Sequence, residues 1–154
     1  MASDPFTYMH QAVWQVLENN QAFNALVPKR NRITFLSYTQ PEALLNRTEA
    51  DTPAVYLQLT KLQQAAVIAT NTLAAEAAFA VQIITAGQNI EPALEILWTI
   101  AKAIEDANLQ LPPHIVAMRF IQGEVQQSRL SQRLVMISGG TILVRYSVAW
   151  RDSA

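Results

Sequence analysis

The side chains that could carry out chemistry are few and scattered in this 154-residue sequence. The two histidines, His10 and His114, have no second potential ligand at metal-binding spacing, so we expect no zinc site. We expect His10 on an exposed face of a first helix and His114 at the end of a strand. Glu105 and Asp106 are adjacent, and adjacent residues of a helix point in different directions, so they make a poor acid–base pair.

Motifs for phosphate binding and for nucleophilic catalysis are missing as well. The four glycines form neither a dinucleotide-binding nor a Walker-type loop, and no GxSxG or HExxH occurs. Gly139-Gly140 is predicted to be a hairpin turn. The chain has no cysteine, which removes disulfides, thiolate metal ligands and a cysteine nucleophile. We therefore expect a protein that is not an enzyme and that needs no cofactor or metal.

Basic residues form two groups that could contact a partner. Lys29, Arg30 and Arg32 are the densest positive charge in a chain whose net charge is −1. They form either a solvated loop or a contact with an acidic partner surface. Arg145 and Arg151 share one face of a strand, which is either solvated or part of a subunit interface or channel lining. The net charge argues against nucleic-acid binding by bulk electrostatics.

The elements that would position these residues centre on the stretch 74–108. Period-two alternation predicts a strand that ends at Gly87. Asn89 then occupies an N-cap position, and the apolar period changes to about 3.6, which predicts an amphipathic helix. The predicted inner stripe of this helix consists of Ile90, Leu94, Leu97, Ala101 and Ile104.

The segments before this unit predict two helices and a loop. Apolar spacing predicts a first helix from Pro5 to about residue 20, with Ser3 or Asp4 as its cap, and a short second helix over 21–26. The polar stretch 37–52 is predicted to be a long surface loop, which in compact domains is often a binding loop.

Alternating residues predict the remaining strands. A hairpin is expected from 54–62 to 77–85, with a long tip near 63–75, and further strands over 114–124 and 141–151. The predicted fold class is therefore α+β, a mainly antiparallel sheet with two main helices packed on one face, in a single domain over 1–154.

The last predicted strand has two different faces. Ile142, Val144 and Tyr146 belong to its apolar face, whereas the other face carries Leu143 and Arg145 among its residues. A strand at the edge of a sheet is normally protected by charge or by a covering segment, and Leu143 and Ala149 weaken such protection. We predict subunit–subunit contact through this strand and the hairpin around Asn71, with Leu143, Arg145, Ala149 and Arg151 as the strand's contact residues.

The composition agrees with a globular chain that could associate. Hydrophobic residues make up 51% and charged residues 15%, so either part of the surface is covered by other subunits or alanine inflates the apolar fraction. No apolar run reaches the roughly 18 residues that a membrane-spanning helix requires, so no membrane span is expected. Trp14, Trp98 and Trp150 are expected to be core or interface anchors.

Taken together, the elements resemble the tail terminator, or tail-completion, proteins of long-tailed bacteriophages. The resembling pieces are AVWQVLENNQAFNALV with the basic loop PKRNRITF, the strand TPAVYLQLTK, the unit AFAVQIITAGQNIEPALEILWTIAKAIEDAN and the closing strand ILVRYSVAW. In that family the loop after the first helix often carries an Arg-Ile pair, and Arg32-Ile33 occupies that place. The resemblance also implies that the chain ends on an edge-forming strand.

The resemblance implies a non-enzymatic virion protein of the tail or neck, made in the host cytoplasm. Such a protein forms a homo-hexameric ring that caps the tail tube, stops its polymerisation and joins the tail to the head connector. The implied partners are further copies of the chain, the tail tube protein and a connector or neck protein, with DNA only as cargo. The alternatives are another neck or stopper protein of the same assembly, or a small intracellular ligand-binding or enzyme-accessory domain.

Overall fold

The computed structural model describes residues 4–35, 52–69, 72–87, 89–130 and 133–149, so the predicted loop 37–52 lies almost entirely outside the described residues. The described ranges form three α-helices and one five-stranded sheet. The helices are α1 (Pro5–Glu18), α2 (Gln21–Leu26) and α3 (Glu91–Asp106). The strands are β1 (Arg32–Phe35), β2 (Ala54–Ala69), β3 (Thr72–Ala86), β4 (Ile115–Leu130) and β5 (Arg133–Ala149).

Side-chain caps set the beginnings of the helices. Asp4 accepts a hydrogen bond of 2.8 Å from the Thr7 amide at the start of α1, and this bond lowers the pKa of the Asp4 carboxyl. Asn20 caps α2 in the same way through the Phe23 amide, at 2.9 Å. The predicted starts of both helices are confirmed. α3 differs: its N-cap position is occupied by Ile90 without a side-chain cap bond, one residue after the predicted Asn89. The Asn89 side chain still accepts a hydrogen bond from the Glu91 amide, at 3.1 Å.

The sheet has the order β1-β2-β3-β5-β4, and every neighbouring pair is antiparallel except β1 with β2. The α+β prediction is therefore confirmed. One main core joins α1, α2 and α3 to a single face of the sheet. Phe79, Ile142 and Met118 belong to this face on three neighbouring strands, and each is completely buried.

The strands extend farther than the sequence predicts. Residues 63–69 continue β2 and residues 72–75 continue β3 instead of forming the predicted long hairpin tip, while residues 70 and 71 lie outside the described residues. Alanine favours helix as an isolated residue, but Ala74 and Ala75 lie in β3, which is paired with β2 on one side and with β5 on the other. Ala74, for example, pairs with Ala65 of β2 and with Ser147 of β5.

The last strand is not at the edge of the sheet. β5 is hydrogen-bonded to β3 on one side and to β4 on the other, so the predicted edge-forming strand is wrong. The physical reason is the long hairpin of β4 and β5, which places β4 outside β5. The predicted apolar face of β5 is confirmed, because Ile142 and Val144 are buried toward the helices.

Gly139 and Gly140 lie inside β5 and not in a turn, which corrects the sequence prediction. Gly139 pairs with Gln82 of β3. A Cβ atom at Gly139 would overlap the carbonyl oxygen of Val81, so only glycine permits this close approach of the two backbones. Gly139 is therefore required by the packing of β5 against β3.

The buried side of α3 is rotated from the predicted stripe by about one residue. The residues of α3 that face the core are Ala93, Ile96, Ile100, Ala103 and Ile104, and Leu97 is partly buried beside them. Ile90 and Leu94 are exposed, so their assignment to the inner stripe is wrong. Both sides of α3 carry apolar residues, and only the position of the sheet selects which side is buried.

Replacing Ile100 tests this orientation of α3. Ile100→Ala removes a completely buried side chain and should lower the free energy of unfolding by about 2–5 kcal/mol. Leu94→Ala is the matched control on the exposed side and, in the dissociated subunit, should change the free energy of unfolding by about 0.5 kcal/mol or less. Denaturant unfolding monitored by circular dichroism measures both, and equal losses would contradict the orientation.

Replacing Gly139 tests the close approach of β3 and β5. Gly139→Ala should destabilise the protein by about 1–3 kcal/mol, because a backbone oxygen stands where the methyl group must go. Gly123→Ala is the control: its methyl would meet the Leu97 side chain at 3.2 Å, which can move aside. The melting temperature should therefore fall more for Gly139→Ala than for Gly123→Ala. A larger fall for Gly123→Ala would contradict the close approach of the two strands.

Candidate interaction surfaces

The basic segment begins with a short 3₁₀ turn, Lys29–Asn31, and continues into β1. Lys29 and Arg30 are exposed there, whereas most of the Arg32 side chain is buried. The sequence grouped these three cations as one contact surface. The structure separates Arg32 from the other two by its burial against its own subunit.

Arg32 connects three elements of the same chain. Its Nη2 atom donates to the Val27 carbonyl oxygen at 2.8 Å, and its Nη1 atom lies 3.3 Å from the Glu18 carboxylate. The guanidinium group also lies 5.0 Å from the centre of the Phe23 ring. With 10% of its side chain exposed, Arg32 joins α1 and α2 to the start of β1.

The face of the sheet opposite the helices, called the open face below, carries part of the predicted contact strand. It is not exposed throughout, because a second cluster that includes Tyr56 and Ile84 is buried on it. Leu143 is half-buried there, and Arg145 is exposed and pairs with Glu76 of β3 at 2.9 Å. Arg145 therefore has a partner within its subunit. Asn71 and Arg151 lie outside the described residues, and Ala149 is described only as the last residue of β5.

The outer edge of β4 is closed in part by side chains from the end of α3. The Asn108 side chain donates through Nδ2 to the Met118 carbonyl oxygen at 2.7 Å and accepts through Oδ1 from the Met118 backbone N–H at 3.1 Å. Glu105 accepts from the Phe120 amide at 3.2 Å. These side chains replace a neighbouring strand and so protect the edge. This contact of Glu105 was not predicted from the sequence.

At the opposite side of the sheet, β1 covers only the beginning of β2. The parallel register stops at Phe35 with Gln58, so within the described chain β2 has one strand neighbour from Leu59 onward. Leu62 lies in this part of β2 and is 55% exposed. Lys61 beside it is exposed on the open face.

The outward side of α3 carries an apolar stripe formed by Ile90, Leu94 and Trp98, which recur every four residues. Trp98 is 70% exposed, and the exposed carboxylates Glu91 and Glu95 flank the stripe. Trp98 is therefore not a core residue, and its expected role as an interface anchor stays a prediction. The spacing was visible in the sequence, but it was assigned to the core.

His10 is buried, which corrects its expected position on an exposed helix face. Its Nε2 atom lies 3.4 Å from the Leu57 carbonyl oxygen, and its ring packs against Phe79. Burial lowers the pKa of His10, so the neutral imidazole is favoured. His10 adjoins Met9 in the buried stripe of α1, and the contact of this helix with the sheet is broad enough to include it.

Metal-binding geometry is not found in the part of the chain that the structure describes. No group of three or more His, Cys, Asp or Glu side chains is placed to hold a metal ion there. None of the described helices has the length and apolar character needed to cross a membrane. The surfaces that stand out among the described residues are those that could contact another protein.

Comparison with known proteins identifies a structural neighbour. No protein-family model matches the chain, and no curated protein sequence matches it. Among solved structures, it is similar to a chain of a structure described as "Virion of native gene transfer agent (GTA) particle". The TM-score is 0.62 at 16% sequence identity, and the match covers 91% of this chain and 95% of the other. The two chains therefore share a fold over nearly their whole lengths.

The contacts of Arg32 predict a structural role that Lys29 lacks. Arg32→Ala should lower the free energy of unfolding by about 1–3 kcal/mol, because the bonds to Val27 and Glu18 are lost together. Lys29→Ala, at an exposed position in the same segment, should change the free energy of unfolding of the dissociated subunit by no more than about 0.5 kcal/mol. Urea unfolding of the two variants provides the measurement, and equal stabilities would contradict this division of the segment.

Proposed function

We propose that this chain is a structural subunit of a phage-like particle and acts as its tail terminator. In this role it forms a hexameric ring that caps the tail tube, stops its polymerisation and joins the tail to the head connector. The single observation that carries the proposal is the likeness to a chain of the gene transfer agent particle, which spans 91% of this chain. Such a protein would be located in the virion.

The position within the particle rests on the resemblance of the sequence elements. The description of the structural neighbour names a whole particle and no component of it. The opening helix with its basic loop and the strand–turn–helix unit resemble a tail terminator, and both features are present in the structure as α1 with the basic segment and as β3 with α3. Another neck or stopper protein is the alternative that the experiment must separate.

The shape of the described surface is compatible with ring formation. A subunit of a cyclic ring needs two different contact surfaces, because each copy meets one neighbour on each side. The described part of the subunit has two unlike sides, the outward side of α3 beside β4, and the basic segment beside β1 and β2. In the proposed particle the tail tube protein and a connector protein would meet the two ends of the ring, and DNA would pass through it.

Electron microscopy of the purified chain, together with its mass in solution, tests the proposal. We expect rings with six times the mass of the chain, either alone or on addition of tail tube protein. Addition of the chain to polymerising tube protein should shorten the tubes and leave a ring at one end. A chain that remains monomeric with tube protein present, or tubes of unchanged length, would contradict the terminator role. Rings that bind a connector but not tubes would indicate another neck protein.

A further inference from the structure

Two opposite sides of the subunit carry complementary features. The helix margin consists of the apolar stripe Ile90, Leu94 and Trp98 with Glu91 and Glu95 beside it, and continues to Leu109 and Val116. The basic margin consists of Lys29 and Arg30 with the part of β2 that holds Lys61 and Leu62. We propose that the helix margin of one copy docks against the basic margin of the next copy. This inference rests on the proposed ring function and identifies the subunit interface of that ring.

Charge is the first argument for a second copy as the partner. Glu91 and Glu95 are exposed on the helix margin, and Lys29 and Lys61 are exposed on the basic margin. Opposite charges on two sides of one subunit attract when neighbouring copies meet side to side, whereas contact between two identical margins brings like charges together. The charge pattern therefore favours head-to-tail contact.

The register across the sheet supplies the second argument, because the complementary features lie at matching levels. The Leu97 side chain packs beside Gly123 of β4, so the middle of α3 lies at the level of the following residue, Glu124. From there the paired residues across the sheet are Glu124, Gly139, Gln82, Tyr56 and Ile33. Lys29 lies four residues before Ile33. The apolar stripe and the basic segment thus lie toward the same end of the subunit.

The other end of the two margins also matches. Asn108, just beyond α3, is bonded to Met118, and the paired residues at this level are Met118, Val144, Ala77 and Leu62. Leu109 and Val116 are exposed near this end of the helix margin, at 91% and 58%, and Leu62 is exposed on the basic margin. Copies placed side to side therefore bring exposed apolar residues toward each other at one end and opposite charges at the other end.

Side chains dominate this contact on the helix margin. Asn108 and Glu105 already occupy backbone groups of β4 at Met118 and Phe120, so this part of the strand cannot pair with a strand of another copy. Trp98 is the large exposed side chain at the middle of the margin. Tryptophan is enriched among the residues that contribute most to binding energy, and we assign this anchor role to Trp98.

Unlike margins that bind head to tail generate either a closed ring or an open filament. In a closed ring both margins of every copy are in contact with a neighbour, whereas a filament has one unpaired margin at each of its two ends. The inference thus accounts for ring formation without a contribution from the internal strand β5, whose exposed Arg145 is paired with Glu76 of its own subunit.

The first experiment changes side chains of each margin in turn. Trp98→Ser and the double variant Glu91→Lys/Glu95→Lys should each raise the dissociation constant between subunits by about tenfold or more, as loss of a central anchor or reversal of rim charges does. Lys29→Glu should also weaken assembly. Arg119→Glu is the control, since it reverses an exposed charge on the open sheet face, and should leave assembly unchanged. Sedimentation velocity gives the masses, and circular dichroism checks that each variant is folded.

The second experiment mixes two defective variants. In a mixture of Glu91→Lys/Glu95→Lys with Lys29→Glu, each reversed margin meets an oppositely reversed margin on the other variant, so rings of alternating copies should form again. Failure of the mixture to assemble, when each variant alone is dissociated and folded, would show that the two margins do not meet.

The remaining outcomes separate this inference from the proposed function. Rings that persist in Trp98→Ser and in the double variant would overturn the assignment of the margins while the ring function stands. If Trp98→Ser does not fold, the surface charge variants alone decide the question. A wild-type chain that forms no ring, even with tube protein, would overturn both the ring and the interface.

Discussion

The two-sided pairing of β5 is the interaction on which the rest of the structure depends. This strand forms backbone hydrogen bonds with β3 over fifteen register positions and with β4 on its other side, and it contributes Ile142 and Val144 to the main core. The pairing requires a backbone without a Cβ atom at Gly139, beside the Val81 carbonyl. Because β5 joins the two long hairpins, the helices meet one continuous sheet face.

This central pairing decides which surfaces remain for partners. With β5 inside the sheet, the sides of the subunit are formed by β4 with the end of α3, and by β1 with the longer β2. Asn108 closes the first side locally, and on the second side β1 pairs with four residues of β2 within the described ranges. The subunit therefore has unlike sides, which is the geometric condition for the head-to-tail contacts of a cyclic assembly.

The basic segment shows why charge in a sequence does not by itself define a contact surface. Arg32 and Lys29 lie three residues apart, yet Arg32 bonds to Val27 and Glu18 while Lys29 is exposed. Burial and partners are properties of the folded chain, and they give one cation a structural role. In the same way, Trp98 becomes a surface residue only because Ile96 and Ile100 occupy the side of α3 that faces the sheet.

The sequence by itself determined the start of α1 behind the Asp4 cap, the start of α2 at residue 21, the α+β class and the inward face of the last strand, because caps and periodicity are local properties of the chain. Only the tertiary structure decided that β5 is internal, that Gly139 lies within a strand, and which of two apolar sides of α3 is buried. These outcomes depend on pairing between residues far apart in the chain, such as Ala80 with Thr141, and local patterns do not encode which partner a strand or a helix side will meet.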